Sequence, residues 1–354
     1  MNTEIFEMYT DFLIASLRLT SAVGLSEMTE GRISHDKVSR LLRNEEFSSK
    51  DLWEYVKPII NKIKSIEGLL IFDDSIEKKP YTDENDIIAW HYDHTTEKNV
   101  KGINFITGLY YSSKMSIPVC YELIKKTEKY IDKKTGKEKR KSKETKNEIL
   151  KRLIKNCTTN KIVFSHILFD SWYSSSDNME YIKTELKKNF ITSIKSNRNV
   201  ALSRESKLKG QWVKVESLKL EKNKVKEIYI EGISFPLLII KQVFKNKDDS
   251  EGILYLVTSD LSLTFEGINT IYKKRWKVEE FYKSLKQNAS LEKSPTKTMR
   301  TQSNHFFASM CAFVKLEILK IKTNLNHFAI KAKLYKIATK YASIHLSSLY
   351  ANSA

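Results

Sequence analysis

The chain has 354 residues, 41% of them hydrophobic, enough for one large core or two modest ones, which excludes disorder as its default state. Its 61 Lys plus Arg against 43 Asp plus Glu leave a formal charge of +18, an excess that attracts polyanions, nucleic acid first among them. It contains no apolar run long enough to span a bilayer, and the start, MNTEIFEMYTDF, is acidic rather than signal-like, so a soluble intracellular protein with no membrane partner is expected.

Residues 1–65 space apolar groups at helical intervals, as in DKVSRLLRNEEF and SSKDLWEYVKPIINKI, the second opening on a cap-like Ser-Ser-Lys-Asp. They predict an N-terminal helical segment, either a packing or dimerisation appendage or a helix-turn-helix reader of DNA. After Gly68 the texture turns to three β-rich runs, LLIFDDS (69–75), KGINFITGLYYS (101–112) and SIPVCYELI (116–124). A helix at 144–157, an apolar strand KIVFSHILFD (161–170), a helix at 176–189 and a strand FITSIKS (190–196) follow. The order βββαβαβ predicts an α/β fold: a mixed sheet with helices on its faces.

From 200 to 247 the alternation continues with no convincing helix, which predicts an antiparallel β insertion. The layered pattern resumes over 248–300, with ILYLVTS (253–259) and a single helix containing YKKRWKVEEFYKSLKQ (272–287); residues 301–354 read as a C-terminal helical segment. The chain thus divides into 1–65, 66–199, 200–247, 248–300 and 301–354. The most basic run, 129–146, reads as a solvated hairpin tip or loop, with phosphate tracking as the alternative. Cys120, Cys157 and Cys311 are scattered outside any CxxC pattern and read as buried thiols.

Two apolar strands end in carboxylates, the first in Asp73 and Asp74, the second in Asp170. Such strands deliver charge to the rim of a sheet, where sites form, although an Asp there also starts turns and caps helices. On a helix of about 100° per residue, Tyr272, Arg275, Glu279 and Lys286 share a stripe roughly 60° wide beside the apolar face of Val278, Phe281 and Leu285. Glu280 points elsewhere, toward Lys277 or Lys283 as surface partners, while Glu279 has Arg275 and Lys283 within ion-pair spacing. Three carboxylates from two strand ends and one helix suit phosphodiester chemistry, because two Mg²⁺ ions need oxygen ligands and flanking Arg, Lys and Tyr hold phosphates.

These residues resemble the DDE transposases of bacterial insertion sequences, in the branch marked by Y-(2)-R-(3)-E-(6)-K: Tyr272, Arg275, Glu279 and Lys286 match without a gap. DDSIEKKP (73–80) is similar to that family's first acidic motif, Asp-x-Thr/Ser, and FDSWYSS (169–175) to its second; with Ser75 as third member the first motif selects Asp73, and alternation sends Asp74 to the other face. The resemblance implies an RNase H-like core and catalytic, metal-ligating roles for Asp73, Asp170 and Glu279 with two Mg²⁺ ions, Mn²⁺ substituting. It implies DNA phosphate or flipped-base contacts by Tyr272, Arg275 and Lys286. The implied reaction is cut-and-paste transposition, with cleavage at terminal inverted repeats through a DNA hairpin and strand transfer to target DNA. A homodimer bridging two ends, in the bacterial cytoplasm at the nucleoid, goes with it. In the family the β insertion supplies a stacking tryptophan; Trp212 is the one Trp available there, and a buried Trp is its default. A nuclease that cuts without joining and an inactive DNA-binding derivative are the rival functions.

Overall fold

The computed structural model describes residues 3–351 apart from 95, 134, 222 and 246–248. Four helices come first: α1 (Thr3–Ala15), α2 (Ala22–Met28), α3 (His35–Asn44) and α4 (Ser49–Ile63). The cap at the start of α4 forms, with Asp51 accepting from the Ser48 backbone N–H at 2.9 Å.

The sheet then opens with β1 (Leu69–Lys78), β2 (Ile88–Asp93), β3 (Lys98–Ser112) and β4 (Met115–Leu123). β1 runs antiparallel along β3, while β2 and β4 divide the other edge of β3 between residues 98–103 and 105–112. Gly108, opposite Phe72, sits where the β3–β4 register shifts; a Cβ there would lie 2.6 Å from Cys120 Sγ and 2.7 Å from the Phe72 ring, so only glycine lets these strands close. A two-stranded hairpin, β5 (Glu128–Ile131) with β6 (Glu138–Lys141), occupies the basic run and is largely exposed. Next come α5 (Lys146–Thr159), β7 (His166–Phe169), α6 (Ser176–Glu180), which continues as a π-helical turn to Glu185, and β8 (Asn189–Ile194). β1, β7 and β8 are parallel neighbours. The order β4-β3-β1-β7-β8, antiparallel then parallel, is RNase H-like.

β9 (Asn199–Ala201), a five-residue α7 (Arg204–Leu208), β10 (Val213–Lys214), β11 (Lys226–Ile230), β12 (Leu237–Lys245) and β13 (Glu251–Thr258) follow. The antiparallel β insertion is present, and the structure adds one short helix, α7, where none was expected. β12 pairs with β13 and β13 with β8, so the inserted strands prolong the core sheet to eleven strands among the described residues. The predicted end of the insertion at 247 lies outside the described residues.

A correction concerns the acid-bearing helix. It is α8 (Phe265–Tyr272), a tighter 3₁₀ turn over Lys273–Trp276, and α9 (Lys277–Gln287), so a uniform 100° wheel does not run through it. The last helices are α10 (Met299–Thr323) and α11 (His327–Ala351). α10 is buried nearly all round because it serves two cores. Phe307 stacks on Phe47 (centroids 4.4 Å apart) beside Phe6, and Phe306 meets Phe105 (4.7 Å) on the sheet. The N-terminal helices and the sheet are therefore one contiguous core. The three cysteines are buried free thiols. Among the described residues no helix is long and apolar enough to cross a membrane.

Candidate active site

Asp73 lies midway along β1, where the strand passes from fully buried residues to half-buried ones, and Asp170 follows directly on β7. The parallel pairing of β1 with β7 brings both to the same end of the sheet. One oxygen of each has local work: Asp73 Oδ1 accepts from the Asp74 N–H (2.8 Å), and Asp170 Oδ1 accepts from the Trp172 N–H (3.0 Å), capping the short turn after β7.

From the helix side, the Arg275 guanidinium bonds Glu279 Oε1 at 2.7 Å and stands 4.0 Å from Asp73 Oδ2. Arg275 thus bridges the strand acid and the helix acid. The Arg275–Glu279 ion pair expected from spacing is present, and so is the Glu280 surface pair, with Lys277 Nζ 2.7 Å from Glu280 Oε2. The other oxygen of Glu279, Oε2, is buried and has no hydrogen-bond partner in the structure. A carboxylate oxygen held dry and unpaired is costly unless a cation satisfies it.

The electrostatics agree. Burial pushes the Asp73 carboxyl well above the usual range, and the charges of Asp170, Asp74 and Glu279 add to it. Burial likewise raises Asp170 and Glu279, each partly offset by Arg275. Mutual repulsion among half-dry carboxylates is the signature of a site short of positive charge. Among the described residues no group of three His, Cys, Asp or Glu side chains is drawn together closely enough to hold an ion as it stands; Arg275 lies between two of the acids instead. The donor set still fits a hard divalent cation, being all carboxylate oxygen with one oxygen orphaned.

Tyr272 and Lys286 are placed less openly. The Tyr272 hydroxyl is buried and donates to Ser193 Oγ (3.1 Å), leaving its ring beside Arg275 at 5.8 Å. Lys286 Nζ donates to the Ile76 carbonyl at 2.8 Å, clamping α9 onto β1 beyond Asp73. Trp212 is half-buried.

Sequence reasoning missed what holds Asp74. Its carboxylate takes Lys146 Nζ (2.6 Å), the Tyr173 hydroxyl (2.7 Å) and Asn104 Nδ2 (3.3 Å), with Lys146 also over the Trp172 ring at 5.0 Å. Asp73 has none of these neutralising partners. Tyr173 lay in the quoted second motif, but only pairing of β1 with β7 shows that it reaches across.

The family model described as Transposase DDE domain matches residues 126–314, more than half of the chain, and one described as DDE superfamily endonuclease matches residues 4–212. The chain belongs to the DDE transposase family. Between them the two matches span Asp73, Asp170 and Glu279 of this transposase. No curated protein matches it.

Proposed function

We propose that the protein is a cut-and-paste DNA transposase of the Y-(2)-R-(3)-E-(6)-K branch, in which Asp73, Asp170 and Glu279 are the catalytic carboxylates. The observation that carries this reading is the acid set itself: Arg275 between Asp73 and Glu279, Asp170 adding its charge, and Glu279 Oε2 buried without a partner. The three carboxylates would hold two Mg²⁺ ions, with Mn²⁺ as substitute, and the ions would supply Lewis acidity toward the scissile phosphate. The chain's own groups bind and orient. Arg275 and Lys286 take phosphate oxygens of the DNA, and Tyr272 backs the Arg275 guanidinium through its ring. Hydrolysis at each terminal inverted repeat frees a 3′-OH, which attacks the opposite strand to make a hairpin and release the flanking DNA; a second hydrolysis opens the hairpin and frees the 3′-OH again, and that hydroxyl then joins target DNA. The β insertion, with Trp212, steadies the hairpin, and residues 1–65 grip the repeat. A homodimer bridges two ends at the bacterial nucleoid; the outward row Leu334, Ile337, Tyr341 and Ile344 on α11, spaced by alternate threes and fours, supports a helical contact between copies.

Asp73→Ala, Asp170→Ala and Glu279→Ala should each abolish Mg²⁺-dependent cleavage of a plasmid carrying the inverted repeats that flank the coding region, while end binding persists. Glu280→Gln, which loses only a surface pair, should retain most activity. Full cleavage by one of the three Ala variants removes that residue from the set. Cut ends without strand-transfer product would indicate a nuclease, and binding without cleavage in Mg²⁺ or Mn²⁺ an inactive derivative.

A further inference from the structure

The acid-bearing helix is seated on β1 and β3 by polar contacts along its length. Arg275 stands 4.0 Å from Asp73 Oδ2, Lys286 Nζ donates to the Ile76 carbonyl at 2.8 Å, and between them the Tyr282 hydroxyl lies 2.8 Å from Thr107 Oγ1. Of these, the last is uncharged and buried at both ends, with Tyr282 8% exposed and Thr107 fully covered. Thr107 is the cross-strand partner of Asp73, and directly opposed residues of an antiparallel pair share a face of the sheet. Tyr282 follows Glu279 by three residues on α9, close to one helical turn. The bond therefore joins the neighbour of one acid to the neighbour of the other.

Filling this space does not require a hydroxyl. The Tyr282 ring stands edge-on to Phe105 (centroids 5.6 Å apart, 82°) and beside Phe281 (5.3 Å), contacts that a phenylalanine would also make. Two hydroxyls in a dry core cost free energy unless they meet. The residues flanking Thr107 on β3, Ile106 and Gly108, have no side-chain group to meet the phenol, so the pair fixes where α9 lies along β3. Burial pushes the Tyr282 hydroxyl well above its usual range, and the charge of Asp73 pushes it further, so it stays protonated and neutral.

The other two contacts do not survive the proposed reaction. A cation entering between Asp73 and Glu279 displaces Arg275, and a DNA phosphate draws Lys286 from the Ile76 carbonyl. The Tyr282–Thr107 bond competes with neither. We infer that Tyr282 and Thr107 are positioning residues for this transposase: once Arg275 and Lys286 are engaged elsewhere, their bond keeps Glu279 in register with Asp73 for metal binding. The inference rests on the reading of Asp73 and Glu279 as metal ligands.

The test compares Tyr282→Phe, Thr107→Val, the double variant and Thr107→Ser in the full chain. Thermal melting reads stability, calorimetric titration reads Mn²⁺ binding, and cleavage of the inverted-repeat plasmid is followed against Mg²⁺ concentration. Each single removal strands one buried hydroxyl and should melt lower, whereas the double variant strands neither and should regain most of the native melting temperature. Both single removals and the double variant should nevertheless bind Mn²⁺ about tenfold more weakly and need correspondingly more Mg²⁺ for half-maximal cleavage, with end binding in EDTA unchanged. Thr107→Ser keeps the hydroxyl and should restore native Mn²⁺ affinity. A merely structural pair would give the opposite result in the double variant, so Mn²⁺ affinity that returns there with stability, or that is native in all three removals, overturns the inference. Asp73→Ala separates the two readings: Mn²⁺ binding unchanged in it would sink the ligand assignment and the positioning role together. Binding lost in Asp73→Ala but native in the Tyr282 and Thr107 variants would remove the positioning role alone.

Discussion

Asp73 and Asp74 are adjacent carboxylates with opposite surroundings, and the contrast makes opposite predictions. Asp74 is neutralised by Lys146 and hydrogen-bonded by Tyr173 and Asn104. Asp74→Ala would strand a half-buried ammonium and a buried phenol, so a loss of about 3 kcal/mol is expected by denaturant unfolding. Asp73, raised by burial and by Asp170, Asp74 and Glu279, binds its proton more tightly folded than unfolded. Its contribution is therefore favourable below the unfolded carboxylate value, about 4, and is lost as pH rises through the raised folded value. Asp73→Asn should stabilise the protein at neutral pH by on the order of 1 kcal/mol and flatten that part of the stability–pH profile. Equal melting temperatures for native and variant at pH 7 would contradict this. The sequence motif separated Asp73 from Asp74 by pattern; the partners that make one structural and the other strained come from α5 and the loop after β7.

At the scale of elements, the 3₁₀ turn over Lys273–Trp276 decides where the helical residues point. It lets Tyr272 stay buried against Ser193 while Arg275 reaches Asp73 and pairs with Glu279, a division that a continuous helix drawn from the sequence does not show. The position of α9 is secured on its other side. Ser284 Oγ bonds His327 Nδ1 at 2.7 Å, His327 Nε2 is 3.1 Å from Glu317 Oε1, and Glu317 Oε2 also takes the Ser116 N–H (2.7 Å) and Lys320 (2.6 Å). These contacts tie α9, α10, α11 and β4 together. Burial would raise the Glu317 carboxyl, but the His327, Lys320 and Ser116 partners take it below its usual value. Its stabilising share is present above the unfolded carboxylate pKa and is lost as pH falls through the folded one. Glu317→Ala should cost about 3–5 kcal/mol and lower cleavage through displacement of α9, both measurable on the purified variant. Nothing in residues 284, 317 and 327 marked them as neighbours, since long-range contacts leave no periodic trace.

For the whole molecule, the charge of +18 predicts DNA binding dominated by counterion release. Affinity for any duplex, measured by anisotropy, should fall about a thousandfold or more between roughly 50 and 200 mM salt; a shallow dependence would mean the basic surface is not the DNA contact. At the same scale, α10 joins the N-terminal helices to the sheet. α10 carries Phe307 into the N-terminal helices and Phe306 onto the sheet, and Asn304 Nδ2 bonds the Leu42 carbonyl at 2.9 Å. Removing residues 1–65 would strip one side of a buried helix.

By itself the sequence determined the alternation of strands and helices, the placement of Asp170 at the end of its strand and the spacing around Glu279, because apolar periodicity and local spacing are written along the chain; Asp73, expected at a strand end, lies midway along β1, which runs on to Lys78. Only the tertiary structure decided that the inserted strands extend the core sheet and that the acid-bearing helix tightens after Tyr272. It alone set Arg275 between two acids. Those outcomes depend on which surfaces meet, and pairing between distant segments is settled by packing and desolvation, not by the local pattern of either segment.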